Sequence, residues 1–217
     1  MLLVAGVLTL AWVITVWQWQ DPFTALYTKY EQGKLAASLS KQFADWKPIR
    51  QTLGASVAAE KRLVAEEAAQ YRRHLKPGQA IGRIKIPRMG LNIVVVQGTD
   101  ESSLEKGPGH YLATDLPGQG QLIYIAGHRT TYLAPFSHID QLRKGDLITI
   151  EMPYATFVYR DTGYRIVTYN DLSVLKSHGH EVLELQACHP RFFATHRYIA
   201  YALPVKVIPR DGRAYTP

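Results

Sequence analysis

Hydrophobic and polar positions divide the 217-residue chain into three parts of different texture. Residues 1–19, MLLVAGVLTLAWVITVWQW, carry no charged side chain. A helix of this length covers about 28 Å, roughly a bilayer core. Trp17 and Trp19 at its end suit an interfacial aromatic belt.

We predict a single-pass transmembrane anchor over residues 1–20. The alternatives are a buried core helix or a cleaved signal peptide, although no small-x-small site precedes Asp21. No Lys or Arg precedes the apolar span, so the sequence does not determine the orientation of the anchor. It also leaves open whether a short basic leader precedes Met1.

Residues 21–77 follow a helical pattern. ALYTKYEQGKLAASLSKQFADW is rich in helix formers, and Pro48 interrupts it. TLGASVAAEKRLVAEEAAQYRRHL resumes the pattern, and KPG at 76–78 ends it. We predict a helical stalk or linker that either packs on the following domain or holds it away from the bilayer.

After Gly78 the pattern changes to short β-branched and aromatic runs separated by Gly, Pro, Asp and Asn. The runs include AIGRIKIP, LNIVVVQG, QLIYIAGH, DLITIEM, TFVYRDTGYRIVTY, EVLELQAC and RYIAYALPVKVI. Seven or eight strands without long helices between most of them predict an all-β domain, an antiparallel barrel or sandwich, over residues 78–210. Residues 211–217 are then a short tail.

Composition narrows the chemistry. Charged residues at 20% and apolar residues at 47% are typical of a globular chain. The net charge of +7 permits an anionic partner, but the basic residues are scattered and no nucleic-acid motif accompanies them, so we predict no nucleic-acid partner. Cys188 is the only cysteine, which excludes an internal disulfide and argues against a cysteine-based metal site. It is either a small buried hydrophobe or a nucleophile.

The segment LELQACHPRFFATHRYIAYA favours the nucleophile. If residues 182–188 and 197–207 are neighbouring antiparallel strands, Cys188 ends one and Arg197 begins the other, at the same end of the sheet. A cation near a thiol lowers its pKa, and a guanidinium there also stabilises a developing oxyanion. Arg191 is the competing arginine, but it lies inside the loop after Pro190.

A cysteine nucleophile needs a base or an imidazolium partner, and the chain has eight histidines. His189 and His196 are near Cys188 in sequence, but a residue adjacent in a strand points to the opposite face. His128 follows the apolar run QLIYIAG, so it also stands at the end of a strand. We predict that His128 is the partner. The unperturbed pKa values are ~8.5 for a cysteine thiol and ~6.5 for an imidazole. With these values, only a minor part of the pair is thiolate–imidazolium at neutral pH.

These motifs resemble the sortases, membrane-anchored cysteine transpeptidases of Gram-positive bacteria. GRIKIPRMGLNIVVVQGTDESSLEKGPGHY, LIYIAGHRTTYLAPFSHIDQLRKGD and LQACHPRF…HRYIAYA together carry the likeness over about residues 78–208, and they are most similar to the class E type of actinobacteria. The resemblance implies an eight-stranded sortase-like β-barrel outside the cytoplasm. It places the family's histidine on His128, its nucleophile on Cys188 and its oxyanion-stabilising arginine on Arg197.

The resemblance also implies the reaction. The substrate is a surface protein with a C-terminal LPXTG or LAXTG sorting signal, cleaved between Thr and Gly through a thioacyl-enzyme. The acceptor is a cell-wall amine, from lipid II or a pilin lysine, and no cofactor or metal is needed. Two alternatives remain: a catalytically weak or silent peptide-binding module, and a thiol hydrolase that uses water.

One motif departs from the family. The usual TLxTC reads Glu184-Leu185-Gln186-Ala187-Cys188, so both threonines are replaced. Strand alternation puts Glu184 and Gln186 on the face of Cys188, as candidates for the substrate groove. Tyr132 and Tyr111 are further candidates. SHGH at 177–180 has His180 where L,D-transpeptidases carry their cysteine, and His178, His180 and Glu181 are weak evidence for a metal site, so we predict none.

Overall fold

The N-terminal apolar stretch forms helix α1, Leu2–Trp19. The computed structural model describes residues 1–19, 22–49 and 56–217, and the side chains of residues 14–22 lie outside the described part. Trp17 and Trp19, the predicted aromatic belt, are therefore outside it. None of the helices in these ranges combines the length and hydropathy needed to cross a membrane, so the structure does not support the predicted transmembrane helix.

Two further helices follow, α2 (Pro22–Asp45) and α3 (Val57–Arg72). The Ser56 side chain caps α3 by accepting a hydrogen bond from the Ala59 amide. Both helices bury apolar side chains against strands: α2 through Leu35 and Leu39, and α3 through Val64, Ala68 and Tyr71. Of the two arrangements left open for residues 21–77, the structure shows packing on the domain.

In the described ranges, eight strands close into a barrel, as predicted. They are β1 (Ala80–Ile86), β2 (Leu91–Gln97), β3 (Gly109–His110), β4 (Leu122–Ala126), β5 (Leu147–Glu151), β6 (Ala155–Thr168), β7 (Val182–His189) and β8 (His196–Pro209). Their order around the barrel is β1-β2-β3-β4-β7-β8-β6-β5. A short helix, α4 (Glu101–Leu104), lies between β2 and β3. In the tail, Tyr215 exchanges two backbone hydrogen bonds with Val207.

The prediction of a wholly antiparallel barrel is wrong. Strands β2 and β3 pair in parallel, and so do β4 and β7, from Leu122↔Val182 to Ala126↔Gln186. The chain builds β5 and β6 between β4 and β7, and a crossover of that length lets two neighbouring strands run in the same direction. The carboxyl ends of β4 and β7 therefore meet at one end of the barrel.

Strand alternation separates the barrel interior from its outer face. On β7, Leu183, Leu185 and Ala187 are fully buried in the main core. The residues between them belong to the outer face, where a second apolar cluster is formed by Tyr124, Ala126, Val167, Val174 and Ile199. Cys188 follows the outward-facing series, so its side chain lies on the face that carries this second cluster.

Candidate active site

The β7–β8 hairpin places Cys188 directly opposite Arg197 in the antiparallel register. Arg197 Nη1 donates to the carbonyl oxygens of Ala194 at 2.8 Å and His196 at 3.0 Å, which fixes the side chain against the hairpin loop. Arg191 lies in that loop, with its guanidinium 5.5 Å from the centroid of the Phe192 ring. Arg197 is thus the arginine that the register brings to the cysteine.

His128 approaches Cys188 from the other side. The Gly127 amide donates to the Gln186 carbonyl at 2.9 Å, which extends the parallel β4–β7 ladder beyond Ala126. The same register, continued two residues beyond the ladder, would bring His128 level with Cys188. The structure thus pairs Cys188 with Arg197, and it ends β4 two residues before His128, on the strand that pairs with the cysteine strand β7.

The His128 imidazole is half-buried. Its Nε2 is enclosed and has no hydrogen-bond partner among the described residues. Burial lowers the pKa of His128, and the negative charges of Glu105 and Glu101 partly oppose that effect. His128 Nε2 is therefore a buried polar atom that no hydrogen bond of the described residues satisfies.

The loop after His128 is held from outside the barrel. Tyr132, Leu133 and Ala134 all have positive φ, a strained conformation for residues with side chains. The Tyr132 hydroxyl donates to Glu105 Oε1 at 2.9 Å, and its amide donates to Thr24 Oγ1 at 3.1 Å on α2. The Tyr132 ring lies 5.1 Å from the His128 ring, so it contacts the histidine instead of lining the groove.

A groove of about 300 Å³ runs along the outer face up to Arg197. Of the predicted groove residues, Tyr111 and Gln186 line it. Tyr124 was missed, and its hydroxyl donates to Gln186 Oε1 at 3.3 Å. Its signal was available, because Tyr124 stands on the same face of β4 as His128. The loop between β6 and β7 closes one side with apolar residues, among them Leu172, Val174 and Leu175.

Glu184 shares the outer face of β7 but does not line the groove. Its carboxylate is fully buried, with Oε1 2.8 Å from His178 Nε2 and Oε2 without a partner among the described residues. Burial raises the pKa of Glu184, and the bond to His178 opposes the rise. The loop between β6 and β7 brings His178 over it, an arrangement that strand alternation alone does not reveal.

The three residues considered as a metal site, His178, His180 and Glu181, each bond a different protein group. His178 bonds Glu184, and His180 Nδ1 lies 3.0 Å from the His178 carbonyl. Glu181 accepts hydrogen bonds from the amides of Gly118 and Gly120 and from the Tyr159 hydroxyl. Each group already has a protein partner of its own.

A cysteine paired with an arginine at a strand end, and a histidine just past the neighbouring strand, are groups that suit nucleophilic acyl transfer. The sortase domain family matches residues 84–205, more than half of the chain. The chain belongs to the sortase family, and its activity is that of a cysteine transpeptidase.

Two curated relatives belong to different types of sortase. Sortase D of Bacillus subtilis is 35% identical over 141 residues, 62% of this chain and 70% of that protein. Sortase SrtE1 of Streptomyces coelicolor is 30% identical over 152 residues, 63% of this chain and 43% of that protein. Class D and class E relatives thus both match, which supports the class E assignment only modestly.

Solved structures show the same fold. Sortase E1 from S. coelicolor, solved with a tripeptide in its active site, has a TM-score of 0.57 and 27% identity over 63% of this chain and 94% of that one. A sortase D5 transpeptidase from Clostridium perfringens has a TM-score of 0.66 at 24% identity, over 81% of this chain and 99% of that one.

Proposed function

We propose that this sortase cleaves a C-terminal LPXTG- or LAXTG-type sorting signal between Thr and Gly. It then joins the new threonine carboxyl end to an amine of the cell wall. The observation that carries the proposal is the pairing of Cys188 with Arg197, which lines the outer groove. An extended peptide in that groove would present its carbonyl to the thiol.

The residues then take the following roles. The Cys188 thiolate attacks the threonine carbonyl carbon, and Arg197 stabilises the oxyanion. The C–N bond to glycine breaks, and His128 protonates the leaving amine. The acceptor amine attacks the thioester and gives up a proton to His128, after which the C–S bond breaks and the Cys188 thiolate returns.

The groove supports a peptide substrate of limited polarity. Tyr111, Tyr124 and the apolar loop after β6 line its walls, while Gln186 and Arg197 supply polar groups near the thiol. A sortase C from C. perfringens has been solved with a C-terminal cell-wall sorting motif. Lipid II or a pilin lysine supplies the acceptor amine in this proposal.

The proposed location is the extracytoplasmic face of the cell membrane, where a surface protein and a cell-wall amine meet. The absence of charge in residues 1–19 supports attachment there. Membrane fractionation with carbonate extraction, followed by protease protection of intact cells, tests this location. Recovery of the full chain in the soluble cytoplasmic fraction would exclude it.

Mass spectrometry of the protein mixed with LPXTG and LAXTG peptides tests the reaction, with and without an added amine. The expected result is a thioacyl adduct on Cys188 and, when the amine is present, an amide product. Cys188→Ala, the matched control, should form no adduct. Cleavage with only a free acid, whatever the amine, would identify a thiol hydrolase. Peptide binding with no adduct would identify a silent module.

A further inference from the structure

Arg129 follows His128 directly and is almost fully buried, with 3% of its side chain exposed. It lies past the end of β4 and is not among the residues that line the groove. Its Nη1 donates to the Cys188 carbonyl at 3.2 Å and to His189 Nδ1 at 3.0 Å. Its Nη2 donates to Asp140 Oδ2 at 2.6 Å.

These contacts join two segments that are 59 residues apart. One is the loop that carries His128, and the other is the end of β7 that carries Cys188. Past Ala126↔Gln186 the backbone ladder between the two strands ends with one further bond, from the Gly127 amide to the Gln186 carbonyl. Beyond that point, the guanidinium of Arg129 continues the connection through the carbonyl of the cysteine.

The partners on either side leave Arg129 little freedom. A guanidinium only donates, so His189 Nδ1 must be its unprotonated acceptor. Burial and the Arg129 charge both lower the pKa of His189, which favours that neutral form. Asp140, half-exposed in the 3₁₀ turn Ile139–Gln141, fixes the opposite end of the fork. A planar fork matches this arrangement, whereas a lysine ammonium cannot reach all three partners.

We propose that Arg129 is a positioning residue that holds the Cys188 backbone in register with His128. The proposal rests on the nucleophilic role of Cys188. Arg129 touches neither the substrate nor the reacting atoms, and it acts by fixing the distance between two groups that do. Misplacement of catalytic groups by about 1 Å costs about a hundredfold in rate, whereas substrate binding in the groove depends on other residues.

The test measures kcat and KM for sorting-peptide cleavage in Arg129→Ala, Arg129→Lys and the control Arg88→Ala. Arg88 also makes two bonds to one carboxylate, Asp146, at 2.9 and 3.0 Å, but its side chain is 41% exposed and it does not line the groove. We expect kcat to fall about a hundredfold in R129A with KM changed less than about threefold. R129K should recover only part of the loss, and R88A should match the wild type. An R129A variant with the kcat of R88A, or with a raised KM alone, would overturn the proposal.

Asp140→Asn covers the case in which R129A does not fold. It leaves Arg129 in place and removes the charge that orients it, at a half-exposed position that tolerates the change. A kcat reduced about three- to tenfold, at unchanged KM and unchanged Tm, supports the proposal, and an unchanged kcat contradicts it.

Alkylation of Cys188 by iodoacetamide separates this inference from the proposed function, because it needs no sorting signal. We expect the alkylation rate of R129A at pH 7 to fall towards that of His128→Ala, since the thiol loses its aligned imidazole. If the wild type cleaves no sorting peptide yet shows this difference, the proposed function fails and the positioning role stands. If the wild type cleaves peptides and the alkylation rates are equal, the positioning role fails alone.

Discussion

Cys188 on β7 and Arg197 on β8 are paired residues of one antiparallel ladder. Their backbones are fixed by the hairpin, and Arg197 is further held by the carbonyl oxygens of Ala194 and His196. Because directly opposed residues of an antiparallel pair share a face, the Arg197 side chain lies on the same face of the sheet as the thiol. Preorganised charge of this kind stabilises a developing oxyanion without reorganisation at the moment of reaction.

Replacing Arg197 tests that arrangement. Arg197→Ala should lower kcat for peptide cleavage by about 10²–10³, because the oxyanion loses its donor. Arg83→Ala is the control, since Arg83 donates to Asn92 on the neighbouring strand and does not line the groove. Steady-state kinetics with circular dichroism measure both effects. A larger loss in Arg191→Ala than in Arg197→Ala would give the role to the loop arginine.

The acidic limb of the activity profile should report His128. Burial lowers its pKa, so the midpoint of that limb in kcat/KM should lie below ~6.5, the ordinary histidine value. Glu105→Gln removes a negative charge that favours the imidazolium, and it should move the midpoint further down. The comparison is Glu151→Gln, whose partner is Lys85 on β1 at 2.6 Å. A midpoint that stays fixed or rises in E105Q contradicts this electrostatic account.

Gly127 has no room for a side chain beside the predicted histidine. A Cβ added there would stand 2.6 Å from Cδ2 of Phe136, which is fully buried and donates its amide to the His128 carbonyl. Gly127→Ala should therefore displace Phe136 and His128 together. We expect kcat to fall by at least about tenfold and Tm to fall as well. Both quantities are measured on the same preparation.

Gly33→Ala provides the comparison for that variant. A Cβ at Gly33, in helix α2, meets nothing within 4 Å. Its replacement should stabilise the helix by up to about 1 kcal/mol and leave activity unchanged. If G127A behaves like G33A, the close packing of Phe136 against Gly127 does not position the histidine.

One feature of the sequence, the alternation of apolar and polar residues, predicted both the strands and the three residues at strand ends. Period-two alternation assigns each side chain to a face, and a polar residue directly after an apolar run marks a strand end. This was enough to place His128, Cys188 and Arg197 at one end of the sheet. The same rule set His189 aside, and in the structure His189 bonds Arg129.

What the sequence did not predict depends on contacts between distant segments. The parallel pairing of β4 with β7 follows from the order of strands in the closed barrel, which no local pattern contains. Glu184 was expected in the groove, but the loop carrying His178 covers it. Arg129 escaped notice because its partners, Asp140 and Cys188, are not periodic neighbours of residue 129.

Asp161, on β6, predicts how stability depends on pH. It is 4% exposed and its Oδ2 has no partner among the described residues. Burial raises its pKa to about 6, against the opposing bond from the Gly163 amide. Since the unfolded chain gives up this proton near pH ~3.9, the folded state loses stability as pH rises from about 4 through 6.

Asp161→Asn removes that titration and keeps an oxygen for the Gly163 amide, which donates to Asp161 Oδ1 at 3.0 Å. At pH 7.5 the variant should unfold at a Tm several degrees higher, equivalent to about 1–3 kcal/mol. At pH 3.5 the two proteins should differ little.

Asp146→Asn should act in the opposite sense, because Arg88 lowers the pKa of Asp146. Scanning calorimetry from pH 3.5 to 8 measures both, and a pH-independent difference in D161N would show that the buried carboxyl is not the cause.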